Sequence, residues 1–217
     1  MQENEKLTEQ EIRVLGCLIE KSLTTPEYYP MTTNALTNAC NQKSSRNPVV
    51  EYTEDEVKIA LETLQKKGFS GRVLSEGARA VKYRYVLPYP FMLNEKELPL
   101  MCLLFLRGAQ TSGELRTRTD RMHNYSSLEE VDSTLEALKA RETGALVKML
   151  ERQSGQKENR WIHLLGETEY IVQPKEIHKE VNKENEDNKN LEEEVALMKE
   201  EIKALREKLE TFMKQFE

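Results

Sequence analysis

The stretch VKIALETLQKKG (residues 57–68) decides how this chain is interpreted, because a similar stretch, VDSTLEALKARETG (residues 131–144), follows later. Apolar side chains three and four positions apart lie on one face of a helix. Each stretch therefore predicts an amphipathic helix with one buried stripe. The stripe positions are Val57, Leu61 and Leu64 in the first copy and Val131, Leu135 and Leu138 in the second.

Two further blocks recur in the same order. LTEQEIRVLGCL (7–18) lies over LNEKELPLMCLL (93–104), and TTNAL (32–36) lies over TSGEL (111–115). The offset between the copies falls from 86 to 79 to 74, so the second copy has shorter loops but the same order of elements. Three matched blocks predict an internal duplication that organises the first 166 residues.

Each copy is predicted to hold three helices followed by a two-stranded hairpin. A capping side chain stands three positions before a glutamate at the start of the first and third helices. After the third helix the pattern changes to alternation, with GRVLS and VKYRYVLP in one copy and ALVKML and RWIHLL in the other. The predicted capping boxes are Thr8 with Glu11, Thr53 with Glu56, Asn94 with Glu97 and Ser127 with Glu130.

Three helices and a two-stranded hairpin are the elements of a winged-helix domain. The predicted fold is mainly α with small β-hairpins. It consists of two tandem winged-helix domains, residues 1–90 and 91–170, and a C-terminal coiled-coil helix, residues 171–217.

The run ALTNACNQKSSRNPVVEY (35–52), with RVLGCLIEK (13–21) and GARAVKY (77–83), resembles the YceH-like family of bacterial proteins. Members of this uncharacterised family have tandem winged-helix domains, and the resemblance covers residues 7–166. It implies the fold and a bacterial, cytoplasmic origin. It implies no activity, ligand or catalytic residue.

Composition predicts a cytoplasmic protein rather than a membrane protein. The N-terminus has neither a basic nor an apolar leader segment, and the longest apolar run, LPLMCLLFL (98–106), is far shorter than the roughly 20 residues that span a bilayer. The net charge of −6 lies mostly in the tail. Residues 1–90 carry twelve basic and twelve acidic side chains, so the first half leaves room for a local basic patch.

No enzyme, cofactor or metal site is predicted. Cys17, Cys40 and Cys102 stand far apart with no C-x-x-C pair, and Cys17 and Cys102 fall within apolar helical patterns, where they are expected to be buried. The three histidines have no Asp, Glu or Cys at ligand spacing, and no phosphate-binding or nucleophile motif occurs.

The repeated helix corresponds to the helix that reads the major groove in DNA-binding winged helices. Its first turn is acidic in both copies, with Glu54 and Asp55 in one and Glu129 and Asp132 in the other. Phosphates repel carboxylates, so base reading by this helix is not favoured. Basic residues lie instead in the loops before it and in the wings, where backbone contacts form. The candidate nucleic-acid-binding residues are Lys43, Arg46, Arg79, Lys82, Arg116, Arg118 and Arg121.

Two other interpretations of these loop residues stay open. The cations could be solvated charges paired with Glu51 and Asp120. The polar run NQKSSRNP (41–48) could also fold back on itself through side-chain turns, with Pro48 fixing its exit.

The tail carries a heptad pattern that predicts a parallel two-stranded coiled coil and hence a homodimer. Alternatives are a helix that docks on its own domains or one that binds a partner protein. The predicted dimerisation positions are Val181, Asn188, Leu191, Val195, Met198, Ile202, Leu205 and Leu209.

Two functions follow from these patterns. The first is a non-enzymatic protein that binds double-stranded DNA through its turn loops and wings. The second is a protein-interaction scaffold that uses the winged helices and the coiled coil as docking surfaces.

Overall fold

The same series of elements occurs twice in the computed structural model, which describes residues 6–74, 80–152 and 155–166. Three α-helices precede an antiparallel two-stranded hairpin in each repeat, and a short 3-10 turn, Pro26–Tyr28, follows the first helix. The mainly helical class with two small hairpins is confirmed. The first repeat has α1 (Glu9–Thr24), α2 (Thr33–Cys40), α3 (Glu54–Lys66), β1 (Ser70–Val73) and β2 (Lys82–Tyr85). The second has α4 (Glu97–Arg107), α5 (Ser112–Arg118), α6 (Leu128–Lys139), β3 (Val147–Leu150) and β4 (Arg160–His163).

Local capping sets where the helices begin. At α6, the Ser127 hydroxyl accepts a hydrogen bond from the Glu130 amide, but the Glu130 carboxylate accepts from Ser126 rather than returning to Ser127. The other three predicted boxes form in both directions, although α4 itself begins only at Glu97. These are Thr8 with Glu11, Thr53 with Glu56 and Asn94 with Glu97.

A single residue ahead of the second helix joins each hairpin as a third strand position. Met31 and Tyr83 exchange two backbone hydrogen bonds, of 3.0 and 2.7 Å. Gln110 and Trp161 do the same in the second repeat, also at 3.0 and 2.7 Å. Met31 and Gln110 are 79 positions apart, which is the offset of the sequence block that follows them. The backbone therefore repeats with the sequence.

The two repeats share one hydrophobic core, because α1 packs on α4. Gly16 allows the close approach: a Cβ added there would lie 2.9 Å from Cδ2 of Leu106 and 3.1 Å from Cβ of Phe105. The Cys102 thiol donates a hydrogen bond to the Gly16 carbonyl oxygen at 3.4 Å. Gly16 and Cys102 occupy matching positions in the aligned blocks, so the repeats meet at equivalent points.

The segment before α1 also contacts the segment after β4, because the Leu7 amide donates a hydrogen bond to the Leu165 carbonyl oxygen at 2.8 Å. Within the described ranges, no helix combines the length and the apolarity needed to cross a bilayer. Arg79 and the predicted coiled-coil positions lie outside the described residues, so those predictions remain predictions, as do the domain boundaries.

Candidate nucleic-acid interface

The loop between α2 and α3, residues 41–53, is closed at its base. The Asn41 side chain donates to the Tyr52 carbonyl at 2.7 Å and accepts from the Tyr52 amide at 2.8 Å. Arg13 of α1 donates to the Pro48 carbonyl at 2.6 Å. Compact loops with adjoining ends often carry function. The loop does fold back on itself, through an amide clamp that joins its two ends.

Arg46 lies inside this loop rather than on its surface, and its side chain is 0% exposed. Its guanidinium donates to both carboxylate oxygens of Glu20 in α1, at 3.0 and 2.7 Å, and to the Ala39 carbonyl. Burial opposes its charge, yet hydrogen bonding to Glu20 raises the pKa of Arg46 above its ordinary value. Burial likewise opposes ionisation of Glu20, but Arg46 holds the pKa of that carboxyl below its ordinary value. Arg46 therefore orders the loop and is not placed to reach a ligand.

Lys43 is the cation that the loop presents to solvent. Its side chain is exposed at the tip, beside Ser44 and Ser45, and it has no ion-pair partner in the described part of the chain. Ser45 adopts a left-handed backbone with φ of 59°. Non-glycine residues rarely adopt this conformation, and the buried Arg46 that follows fixes the turn. The loop thus holds Lys43 outward on an ordered backbone.

The first hairpin has a basic face. The strand register pairs Gly71 with Arg84 and Val73 with Lys82, so both cations project to one side of the sheet. Arg84 is exposed and lies across Gly71, since a Cβ added to Gly71 would be 3.6 Å from Arg84 Nε. Neither β1 nor β2 contains a carboxylate. β1 also carries an exposed cation, Arg72, that the sequence analysis did not single out; it pairs with Tyr83 and so lies on the opposite side of the sheet from Lys82 and Arg84.

Only Arg121 of the three cations predicted for the loop of the second repeat lies in that loop, because α5 continues to Arg118 and holds Arg116 and Arg118 in its last turn. Arg116 and Arg121 are exposed, and Arg116 makes only a long bond of 3.4 Å to the Ser126 carbonyl. Arg118 is half-buried, donates to the Gln110 side chain at 2.8 Å and lies 3.6 Å from Glu114. Arg118 is therefore largely occupied within the fold.

The exposed face of the repeated helix is acidic in both repeats. Glu54 and Asp55 stand in solvent at the start of α3. In α6, Glu130 forms an ion pair with Lys96 at 2.8 Å, and hydrogen bonds from Lys96 and Ser126 lower the pKa of Glu130 to about 2. Asp132 accepts a hydrogen bond from the Ser112 hydroxyl. A negative face of this kind is a poor fit to the major groove.

The residue that sequence reasoning missed is Glu20, which decides the role of Arg46. It lies 26 positions before Arg46, in α1, and the suggested partner Glu51 makes no ion pair in the part of the chain described here. Among the described residues, no three His, Cys, Asp or Glu side chains gather as ligands of a metal ion would.

Comparison with known proteins places this arrangement in a family. A family model described as a protein of unknown function, DUF480, matches residues 7–156. A UPF0502 protein of Geotalea uraniireducens (strain Rf4) is 48% identical and covers 97% of this chain and 98% of its own length. UPF0502 proteins of Geobacter metallireducens and Solibacter usitatus are 47% and 44% identical and cover 95% and 98% of this chain and 96% and 98% of their own. The resemblance to an uncharacterised bacterial family is confirmed.

Proposed function

The chain belongs to the DUF480 family of proteins of unknown function, and we propose that it is a non-enzymatic, cytoplasmic protein that binds the phosphate backbone of duplex DNA. Each repeat is proposed to be a winged-helix domain. The contacts are proposed to come from the α2–α3 loop and the hairpin of the first repeat, and from the end of α5 and the loop after it in the second, rather than from the third helices. The proposed contact residues are Lys43, Lys82, Arg84, Arg116 and Arg121.

One observation carries this proposal: the proposed contact cations have no ion-pair partner within the described ranges. Other cations of the two repeats are paired, such as Lys67 with Glu11, Arg141 with Glu97 and Arg160 with Glu114. Of the proposed contacts, Lys43 and Arg121 lie in loops, Lys82 and Arg84 in the first hairpin, and Arg116 in the last turn of α5. Unpaired cations on projecting elements can neutralise phosphates without first losing an internal partner.

This mode of binding has a defined salt dependence. Each phosphate neutralised on duplex DNA releases counterions and contributes about −0.9 to the slope of log K against log salt. Five contacts predict a slope of about −4.5. Since phosphate contacts carry no sequence information, two duplexes of unrelated sequence are expected to bind with similar affinity.

The test is fluorescence anisotropy of the full chain with two labelled duplexes of unrelated sequence and equal length. Binding to both, weakening steeply as salt rises, supports the proposal. Absence of binding at low salt, or an affinity that salt does not change, would contradict it. A strong preference for one duplex would instead indicate base reading, which the acidic helices do not support.

A second candidate function, protein docking, is favoured by Ile59. The Ile59 side chain is 62% exposed on the outer face of α3, among charged neighbours. A phosphate surface offers no apolar contact to this side chain, so its exposure favours docking to a protein. Capture from a bacterial lysate of a stoichiometric protein that persists after nuclease treatment, and is lost with Ile59→Asp, would support docking. Loss of every bound protein on nuclease treatment would count against it.

We also propose that two copies pair through the C-terminal heptads, which would strengthen individually weak contacts through effective concentration. Light scattering on the full chain is expected to give twice the 25.3 kDa chain mass. Leu191→Asp with Leu205→Asp is expected to return it to the monomer mass. A monomer mass for the unaltered chain would contradict pairing.

A further inference from the structure

The second repeat binds one of its own carboxylates where its hairpin meets the start of α5. Glu114, in the first turn of α5, accepts hydrogen bonds from the Thr111 amide at 2.9 Å and from the Arg160 guanidinium of β4 at 2.9 and 3.4 Å. Arg118 lies 3.6 Å from the same carboxylate. An anion is thus held between a hairpin cation and the start of a helix, where free backbone N–H groups favour negative charge.

The start of α2 has the same backbone as the start of α5. Thr32 and Thr111 are the N-caps, with φ −76° and ψ 162° in the first and φ −74° and ψ 162° in the second. In both, the threonine hydroxyl accepts the amide of the residue three positions later, at 3.3 and 3.2 Å. That residue is Ala35 in α2 and Glu114 in α5. The first turn of α2 contains no acidic residue, so α2 has the cap without the carboxylate.

The first hairpin places a lysine beside the start of α2. Met31, the residue before the N-cap of α2, pairs with Tyr83 of β2, so Lys82 lies across from the N-cap. Lys82 takes the position that Arg160 has in β4. Within the described ranges Lys82 has no ion-pair partner, and the Ala35 side chain is exposed. The cation and the helix start are therefore accessible to an external anion.

We propose that a phosphate of the duplex DNA backbone binds the first repeat between Lys82 and the N-terminus of α2, in the position that the Glu114 carboxylate has in the second repeat. This phosphate subsite rests on the proposed function and belongs to the same DNA contact. Helix N-termini and lysine side chains both contact phosphates in protein–DNA complexes. The second repeat binds no phosphate at the equivalent point, because Glu114 already pairs with Arg160 there.

The test gives α2 the carboxylate that α5 has. In Ala35→Glu, the new side chain is expected to accept the Thr32 amide and to pair with Lys82, and thereby to exclude the phosphate. Fluorescence anisotropy of the full chain with a labelled duplex is expected to give a salt slope shallower than that of wild type by about 0.9. The melting temperature is expected to rise by roughly 1–3 °C, because the new carboxylate caps the helix. Asn34→Glu adds the same charge one position earlier and is the matched control that is expected to keep the wild-type slope.

The outcomes separate this subsite from DNA binding as a whole. A wild-type slope in Ala35→Glu, or an equal change in Asn34→Glu, would overturn the subsite and leave DNA binding in place. Absence of binding by the wild-type chain at low salt would overturn the proposed function, and the subsite with it. Lys82→Gln added to Ala35→Glu is expected to change the slope no further, since both remove one contact. A further change of about 0.9 would place Lys82 at a different phosphate and overturn the subsite.

The reverse change in the second repeat tests the same geometry. Glu114→Ala leaves Arg160 beside the start of α5 without its carboxylate, and the salt slope is expected to become steeper than that of wild type by about 0.9. A folded Glu114→Ala chain with the wild-type slope would also overturn the proposal. Circular dichroism checks the fold of each variant. If Glu114→Ala does not fold, the comparison of Ala35→Glu with Asn34→Glu alone decides the question.

Discussion

The α2–α3 loop and its counterpart, the loop between α5 and α6 (residues 119–127), connect equivalent elements but fill their interiors differently. In the first repeat the interior group is the cation Arg46, neutralised by Glu20. In the second it is Tyr125, buried and with its hydroxyl donating to the Lys96 carbonyl. The interior cation of the first loop, Arg46, is therefore bound within the fold, while Arg121 of the second loop is exposed to solvent. Whether a loop cation is available to a ligand depends on the helix behind the loop.

The largest expected change in the free energy of unfolding follows substitution of Arg46, which holds the first loop against α1. Arg46→Ala removes both guanidinium hydrogen bonds from the Glu20 carboxylate in a largely enclosed site and leaves it only Lys21, at 3.3 Å, which is expected to cost about 3 kcal/mol of the free energy of unfolding. Urea unfolding monitored by circular dichroism measures it. Lys43→Ala at the exposed tip is the matched control and is expected to stay within about 0.5 kcal/mol of wild type. Equal stability of both variants would show that Arg46 does not hold the loop.

Substitution of Gly16, at the contact between α1 and α4, is expected to lower the free energy of unfolding nearly as much. Gly16→Val brings a branched side chain into a space where even a Cβ meets Leu106 at 2.9 Å, so the free energy of unfolding is expected to fall by about 2 kcal/mol. Gly113→Ala in α5 meets only the Thr111 hydroxyl oxygen at 3.8 Å and is expected to be neutral or slightly stabilising. The same unfolding measurement compares them. An unchanged free energy of unfolding in Gly16→Val would mean that α1 and α4 can move apart without loss of stability.

The ends of the two hairpins are expected to respond differently to pH. The last residue of β2 is Tyr85, and its equivalent in β4 is His163, whose Nδ1 is buried and has no hydrogen-bond partner among the residues that the structure describes. Burial, with a smaller effect of Lys6, lowers the pKa of His163 to about 4 from an ordinary 6.5.

Because this pKa is depressed in the folded chain, only the unfolded chain binds the extra proton between pH 6.5 and pH 4. Stability is therefore complete above pH 6.5 and is lost as the pH falls toward 4. The loss between pH 7 and pH 5 is expected to be about 2 kcal/mol. Urea unfolding at the two pH values measures it, and His163→Phe is expected to remove most of the difference. An unchanged difference in His163→Phe would assign the pH dependence elsewhere.

The smallest expected effects concern individual DNA contacts. Lys82→Gln with Arg84→Gln in the first repeat, and Arg116→Gln with Arg121→Gln in the second, are each expected to make the salt slope shallower by about 1.8. Arg118→Gln is the control that is expected to change it little, because that side chain is already bound to Gln110. If only one double variant changes the slope, a single repeat makes the contacts.

The sequence predicted those features that depend on local spacing. The stripe of Val57, Leu61 and Leu64 is fully buried, and the boxes at Thr8 and Thr53 form as expected, because helical periodicity and capping involve residues at most four positions apart. The duplication was also predictable, since the two copies kept their elements in one order.

Features that depend on packing between distant elements were not predictable. Glu20 meets Arg46 only because the α2–α3 loop folds against α1. No spacing rule relates these two residues. The sequence pattern therefore predicts Arg46 among the surface cations, although its buried charge pairs with Glu20 and orders the loop. The third strand position at Met31 is a single residue, too short for any alternating pattern to mark it.

The central claim is that the unpaired cations of the loops, the first hairpin and the end of α5 bind the backbone of duplex DNA. The most direct test compares the salt dependence of anisotropy for the wild-type chain and a variant in which Lys43, Lys82, Arg84, Arg116 and Arg121 are all glutamine. The wild-type slope is expected to be about −4.5, and the variant slope close to zero with unchanged unfolding free energy. A folded variant that binds duplex DNA with the wild-type affinity and slope would contradict the claim.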